Sequence, residues 1–173
     1  LYVGLSKYNK EQTAAAMEIF RELKTPFIIH QSRYSLFERS IEENGLKQFA
    51  AENGCGIIAF CPLAQGLLTD KYLHGIPEES RMKKDGRFLK ESALTKEKLH
   101  QIRALNELAA QRGQTLAQMA LSWILRDGEV TSVLAGASKP KQLLDNVKIA
   151  GCTEFSDEEL KKIDSITLET HVS

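Results

Sequence analysis

The chain has 173 residues, of which 42% are hydrophobic and 27% charged; its acidic and basic side chains balance to zero net charge. That length buries one core of ordinary size, and the neutral balance with only 7% aromatics leaves no basic stripe or stacking platform for nucleic acid. No apolar run approaches the roughly 20 residues that a membrane helix needs, no signal-peptide pattern opens the chain, and the cytoplasm is the expected compartment.

Residues 1–5, Leu-Tyr-Val-Gly-Leu, read as a strand already in progress, so the chain reads as a piece of something longer. Ser6-Lys7-Tyr8-Asn9 is a polar turn, and Asn9 followed by Gln12 makes a helix cap. The helix is expected to run to about residue 24, with Ala16, Met17, Ile19, Phe20 and Leu23 forming the stripe that a helix lays on a sheet. Pro26 ends it, and 27–30 form the next strand, opening into Gln31-Ser32-Arg33-Tyr34. Residues 38–53 are helical in composition, broken at Asn44-Gly45, with Leu46, Phe49 and Ala50 inward and Gly54 as the stop.

Residues 55–61 carry neither charge nor alternation, the pattern of a strand covered on both faces in a parallel sheet. Pro62 cannot donate to a strand ladder, so the chain must turn out of the sheet there. The loop that follows, to Tyr72, carries amides, a glycine and a lysine, and 75–93 is a long charged excursion of a length more often functional than not. Leu99, Ile102, Leu105 and Leu108 mark a helix over 95–112 that stops at Gly113. Thr115 with Gln118 caps another, whose Ala120, Leu121, Ile124 and Leu125 face inward. Residues 130–135 are β-rich, and Gly136-Ala137-Ser138-Lys139-Pro140 leads into a helix over 141–150, proline fitting its first turn. Ser156 to Glu159 is a capping box for a last helix faced by Leu160, Ile163 and Ile166.

About four apolar strands alternating with helices imply a parallel sheet with right-handed crossovers, in one domain or part of one. Parallel strands would bring Ser6-Lys7, residues 31–34, residues 60–65 and residues 136–139 to one rim. At the last of these, backbone N–H groups after Gly136 and Ala137 point at a helix start whose dipole favours an anion, with Lys139 and Lys141 adding charge; the alternative is an ordinary turn with solvated lysines. The Gly-Lys-Ser/Thr ending of a P-loop is absent. Phe60 is either a platform for a flat ring or core. Gln31 offers donor and acceptor to an amide, or caps its own loop. Lys71 and Arg81 bracket the excursion as surface charge or as a phosphate-gripping lid. Cys55, Cys61 and Cys152 lack paired spacing and read as small buried hydrophobes, and His30, His74, His100 and His171 show no ligand spacing, so no metal is expected.

Phe60-Cys61-Pro62-Leu63-Ala64-Gln65-Gly66-Leu67-Leu68-Thr69-Asp70-Lys71-Tyr72, then Gly75-Ile76-Pro77 with Ser80-Arg81, and then Gly136-Ala137-Ser138 with Gln142, Asp145 and Asn146 resemble the C-terminal half of an aldo-keto reductase. The likeness runs from Leu1 to the last helix, and within the family it is greatest to bacterial glyceraldehyde-3-phosphate reductases and to β subunits of voltage-gated potassium channels. The resemblance implies the C-terminal half of a TIM barrel, about four of its eight strands, with the N-terminal half absent from this chain, and a bound NADP(H). It assigns Ser6, with Lys7 beside it, and Gln31 to the nicotinamide carboxamide, and Phe60 to the ring that stacks on the nicotinamide. Cys61, Pro62, Leu63, Ala64, Gln65, Lys71 and Arg81 fall on the pyrophosphate loop, and Gly136, Ser138, Lys139, Gln142, Asp145 and Asn146 on the adenosine 2′-phosphate and adenine pocket. Lys7 stands where many members carry asparagine, Phe60 where they carry tyrosine or tryptophan, and Gly136 where many carry lysine.

The family's catalytic tyrosine, lysine, histidine and aspartate lie on the first four strands; Tyr2, Tyr8, Tyr34 and Tyr72 do not match that tyrosine, and Tyr34 is expected at most to line the substrate pocket. The implied activity of the parent protein is hydride transfer from NADPH to a small aldehyde. The alternatives are a non-catalytic NADP(H)-binding regulatory β subunit and a different parallel α/β enzyme such as an isomerase. A half barrel leaves unpaired strand edges and one uncovered sheet face, so the expected partner is the N-terminal half of the same protein or a second copy of the chain.

Overall fold

The computed structural model describes residues 1–73, 75–76 and 91–168. Four strands, β1 (Val3–Ser6), β2 (Phe27–Arg33), β3 (Gly56–Phe60) and β4 (Ser132–Leu134), form one sheet in the order β1-β2-β3-β4 with every neighbouring pair parallel. Helix α1 (Lys10–Glu22) links β1 to β2, and α2 (Ser40–Glu43) with α3 (Leu46–Glu52) links β2 to β3. Helices α4 (Lys96–Gln111) and α5 (Leu116–Ile124) precede β4, and α6 (Pro140–Val147) and α7 (Asp157–Leu168) follow it. The expected excursion over 75–93 lies mostly outside the described residues, whose last turn of it is the 3₁₀ segment Glu91–Ala93.

Helix starts follow the local chemistry. Asn9 Oδ1 accepts from the Gln12 N–H at 2.9 Å, and Gln12 Oε1 accepts from the Asn9 N–H at 3.1 Å. Thr115 with Gln118 and Ser156 with Glu159 repeat that reciprocal pairing. The break at Asn44-Gly45 is real: Gly45 has φ 72°, a left-handed conformation that ends α2 and starts α3 on a new axis. Strand β4 is shorter than the β-rich run 130–135: Val130 is buried in the core ahead of it, and the Thr131 N–H bond to the Ile57 carbonyl is the rung that leads into the β3–β4 ladder.

One face of the sheet holds the core. Ile57 and Ala59 of β3 are buried with Leu46 and Ala50 of α3, Ile102, Leu105 and Leu108 of α4, and Met119, Ala120 and Trp123 of α5. Each leucine, isoleucine and methionine among them contributes roughly 1.5–3 kcal/mol by leaving water. The opposite face is different: Ile58 and Phe60 are half-buried, Ser6, Ser132 and Leu134 exposed. The expectation that 55–61 is covered on both faces is therefore corrected, since no described element of this chain packs on the second one. Composition alone cannot separate the two cases, because the facing surface of a barrel is built by strands from across its lumen. Gly4 belongs to that inner face, where an added Cβ would meet Ile29 Cγ2 at 2.8 Å.

The cysteines divide rather than all being buried: Cys55 is buried, Cys61 half-buried and Cys152 exposed. Cys152 sits just after Gly151 in the turn leaving α6, where no helix covers it. Among the described residues no helix is long and apolar enough to cross a membrane, and no three His, Cys, Asp or Glu side chains gather as metal ligands.

Two outcomes follow from this core. Leu105→Ala should lower the unfolding free energy by about 2–5 kcal/mol, read from the urea midpoint at constant m-value. His30 is buried on the helix side of β2 with Nδ1 2.9 Å from Ser32 Oγ, and burial lowers its pKa from the ordinary 6.5. A depressed folded pKa means that its stabilising contribution is present above about pH 6.5 and is lost as pH falls below it. Urea midpoints measured across that window should fall toward acid, and His30→Gln should flatten the fall.

Candidate functional site

The parallel register sets the level of each strand end. Ser6 pairs with Gln31, Gln31 with Ile58, and Arg33 with Phe60, which in turn pairs with Leu134. Because paired residues of parallel strands project to the same side, Ser6, Gln31 and Phe60 share the uncovered face at its C-terminal edge. The Lys7 N–H donates to the Gln31 carbonyl at 3.0 Å, extending the β1–β2 ladder one step past the strand. Lys7 Nζ then lies 5.7 Å from the centroid of the Phe60 ring, in cation–π range. Phe60 is half-buried, neither free nor part of the core cluster.

Backbone strain concentrates at this rim. Lys7 (φ 62°), Cys61 (54°), Ala64 (46°) and Gln65 (59°) all adopt the left-handed region without being glycine, at a cost of order 1–3 kcal/mol each that persists where surrounding contacts or a ligand require the shape. The turn holding them is cross-tied: the Ala64 N–H donates to the Cys61 carbonyl at 3.0 Å, and the Gly66 N–H to the Leu63 carbonyl at 2.8 Å. Pro62 and Ala64 are buried and Leu63 half-buried, so the loop is anchored from beneath. Gln65 Oε1 is buried without a hydrogen-bond partner among the described residues, a polar atom awaiting a donor. Lys71 is exposed, its ammonium 5.9 Å from the Tyr72 ring; Arg81 lies outside the described residues.

The second expected pocket follows β4. Gly136, Ser138 and Lys139 are exposed, but the amides at the start of α6 are occupied: Gln142 Oε1 accepts from the Ser138 N–H at 2.8 Å, from Ser138 Oγ at 3.1 Å and from the Lys139 N–H at 3.2 Å. An anion reaching these amides must first displace the Gln142 side chain. Asp145 points elsewhere. Its carboxylate is hydrogen-bonded to Lys141 (2.6 Å) and Lys148 (2.7 Å), which pull its pKa down to about 2. Asn146 is half-buried on α6. A cleft of about 710 Å³ bordered by Arg112, Thr115, Gln118, Lys141, Asp145 and Lys148 opens among the helices and touches none of the strand ends.

Tyr34 is corrected. It does not line the rim: following Arg33 by one residue, it projects to the other side of the sheet and is fully buried. Its ring stands 5.3 Å from that of Trp123, its hydroxyl donates to Glu42 and accepts from Arg126 Nη1 at 3.0 Å, and burial raises its pKa. The period-two alternation of β2 could have revealed this, and the same alternation puts Arg33, not singled out from the sequence, beside Phe60.

A parallel β/α sheet with functional groups at the C-terminal ends of its strands defines part of a TIM barrel. The sequence profile of the Aldo/keto reductase family matches residues 1–168, and the chain belongs to that family. It is 52% identical over 167 residues to the L-glyceraldehyde 3-phosphate reductases of Escherichia coli O157:H7 and of Escherichia coli strain K12, covering 95% of this chain and 48% of each relative. Among solved structures it resembles the glycerol dehydrogenase of Gluconobacter oxydans, with TM-score 0.76, 29% identity and coverage of 99% of this chain and 51% of that one. It also resembles a thermostable aldo-keto reductase solved with the inhibitor epalrestat, with TM-score 0.67, 25% identity and coverage of 95% and 48%. The chain thus spans about half the length of the curated relatives it matches.

Tyr34→Phe should cost about 1 kcal/mol of stability by removing the hydroxyl between Glu42 and Arg126. Urea denaturation checks the loss, and ligand titrations at the rim should be unchanged.

Proposed function

We propose that this chain is the NADP(H)-binding, C-terminal half of an aldo-keto reductase whose whole reduces small aldehydes such as glyceraldehyde 3-phosphate or methylglyoxal. The observation that carries the reading is the register that puts Ser6, Gln31 and Phe60 on one face at one edge, with the strained turn at residues 61–65 beside them. The residues fit a dinucleotide. Phe60 presents a half-exposed ring to a flat heterocycle, and Ser6 and Gln31 offer the donor and acceptor that a carboxamide needs. The turn at residues 61–65, with its left-handed backbone, would meet the pyrophosphate, and the orphaned Gln65 Oε1 within it would accept from a donor of the nucleotide such as a ribose hydroxyl.

Gln142 has a defined task in this reading. It holds the amides of Ser138 and Lys139 in register until the adenosine 2′-phosphate takes its place, and Lys139 then stands at the helix N-terminus where the dipole favours negative charge. When bound, the nicotinamide supplies the hydride; the chain's own work is to bind it, present one face and exclude water. The proton donor, a tyrosine assisted by lysine, histidine and aspartate, would come from the N-terminal half, whose strands would pair with β1 and β4 and cover the open face. We place the protein in the cytoplasm, where NADPH is available and where Cys55, Cys61 and Cys152 stay reduced as the free thiols observed here.

Titration with NADPH, followed by its fluorescence, tests the reading. Saturable binding is expected, weakened about tenfold or more by Phe60→Ala through loss of ring stacking, a change of roughly 1.4 kcal/mol. Absence of binding to the chain, and to the chain joined to its N-terminal half, rejects the reading. Binding without oxidation of NADPH by any short aldehyde in that completed protein favours the regulatory-subunit alternative.

A further inference from the structure

Phe60 stands among positive charges that no carboxylate of the described residues neutralises. Lys7 Nζ lies 5.7 Å from its ring centroid, and Arg33 is its paired neighbour on β2, projecting from the same face. Both side chains are exposed, and neither makes an ion pair with a carboxylate among the described residues. The cations that the helix side buries are paired: Arg39 with Asp164, Lys47 with Asp127 and Glu129, Arg112 with Glu159, Arg126 with Glu42. Lys7 is moreover held in place by backbone: its left-handed φ of 62° and its N–H bond to the Gln31 carbonyl aim the residue after β1 back across the rim.

We infer that Lys7, reinforced by Arg33, makes this site favour the reduced cofactor, whose dihydronicotinamide ring is uncharged, over the oxidised one, whose ring carries a full positive charge. The inference rests on the cofactor reading above and adds to it which redox form is held. A ring stacked on Phe60 beside Lys7 comes within about 6 Å of the ammonium. Two unit charges at that distance, at the effective dielectric of a partly solvated rim, repel by an amount that weakens binding about 3- to 10-fold. The uncharged ring pays none of this, while the phosphates, common to both forms, cancel in the comparison. In a reductase such a bias speeds release of the spent cofactor.

The test is the ratio of two dissociation constants, measured for NADPH by its fluorescence and for NADP⁺ by displacement of NADPH, in the full chain and, where needed for binding, joined to its N-terminal half. Lys7→Asn, with a residue that tolerates a left-handed backbone, should narrow the NADP⁺/NADPH ratio about 3- to 10-fold, chiefly by tightening NADP⁺. Lys7→Arg should keep the ratio, and raising salt should narrow it more in the wild type than in Lys7→Asn, where only Arg33 remains to be screened. Arg33→Gln should act in the same direction to a smaller extent, and supplies the reading if Lys7→Asn loses its native circular dichroism. An unchanged ratio in a folded Lys7→Asn variant that still binds both forms overturns the inference and leaves the cofactor reading intact. Failure of the wild type to bind either form overturns both.

Discussion

Everything at the rim depends on the parallel hydrogen-bond register of β1 to β4. Parallel pairing gives all four strands the same polarity, so their C-terminal ends share an edge. Register then decides which residues meet there: Ser6 beside Gln31, Arg33 beside Phe60, Phe60 beside Leu134. A slip of one residue in β3 would exchange Phe60 for Ala59 and send the aromatic ring into the helix layer. The buried side opposes that slip, because Ala59 lies in the core cluster with Leu105, Met119 and Trp123, where the larger Phe60 ring would overpack.

The same alternation explains why the molecule is one-sided. Its core lies between sheet and helices, and the other sheet face has only half-buried and exposed side chains. The helices at the two ends of the strand order are also incompletely covered: α1 exposes Ile19 and, at its C-cap, Leu23, and α6 exposes Leu143, Leu144 and Val147. Together with two unpaired strand edges, these apolar surfaces are what a further set of β/α units would bury on closing a barrel, in keeping with a chain that spans about half of its relatives.

Charge is handled in two ways in one small protein. Behind the sheet, guanidinium groups of Arg39 and Arg126 lie over Trp123 at 4.5 and 4.0 Å and are paired with Asp164 and Glu42, a network in which every charge has a partner. At the rim, Lys7 and Arg33 have none among the described residues. Buried charge without compensation is expensive, whereas exposed charge at a strand end costs little and remains available to a ligand. Gln142 is intermediate: it satisfies the first amides of α6 with a neutral side chain that an anion can displace.

What the residues determined on their own is everything that depends on near neighbours. The capping pairs Asn9–Gln12, Thr115–Gln118 and Ser156–Glu159, the break at Gly45 and the exit from β3 at Pro62 are legible because each is a hydrogen bond or a backbone preference spanning at most a few positions. The motifs around residues 60–72 and 136–146 announced the family for the same reason. Tertiary structure alone decided which face of each strand is covered, and so which of the two alternating sides of β2 enters the core. It also decided that Lys7 stands over Phe60. Those outcomes depend on what lies across the sheet from a given side chain, and a continuous apolar run reads alike whether one of its faces or both will meet a partner.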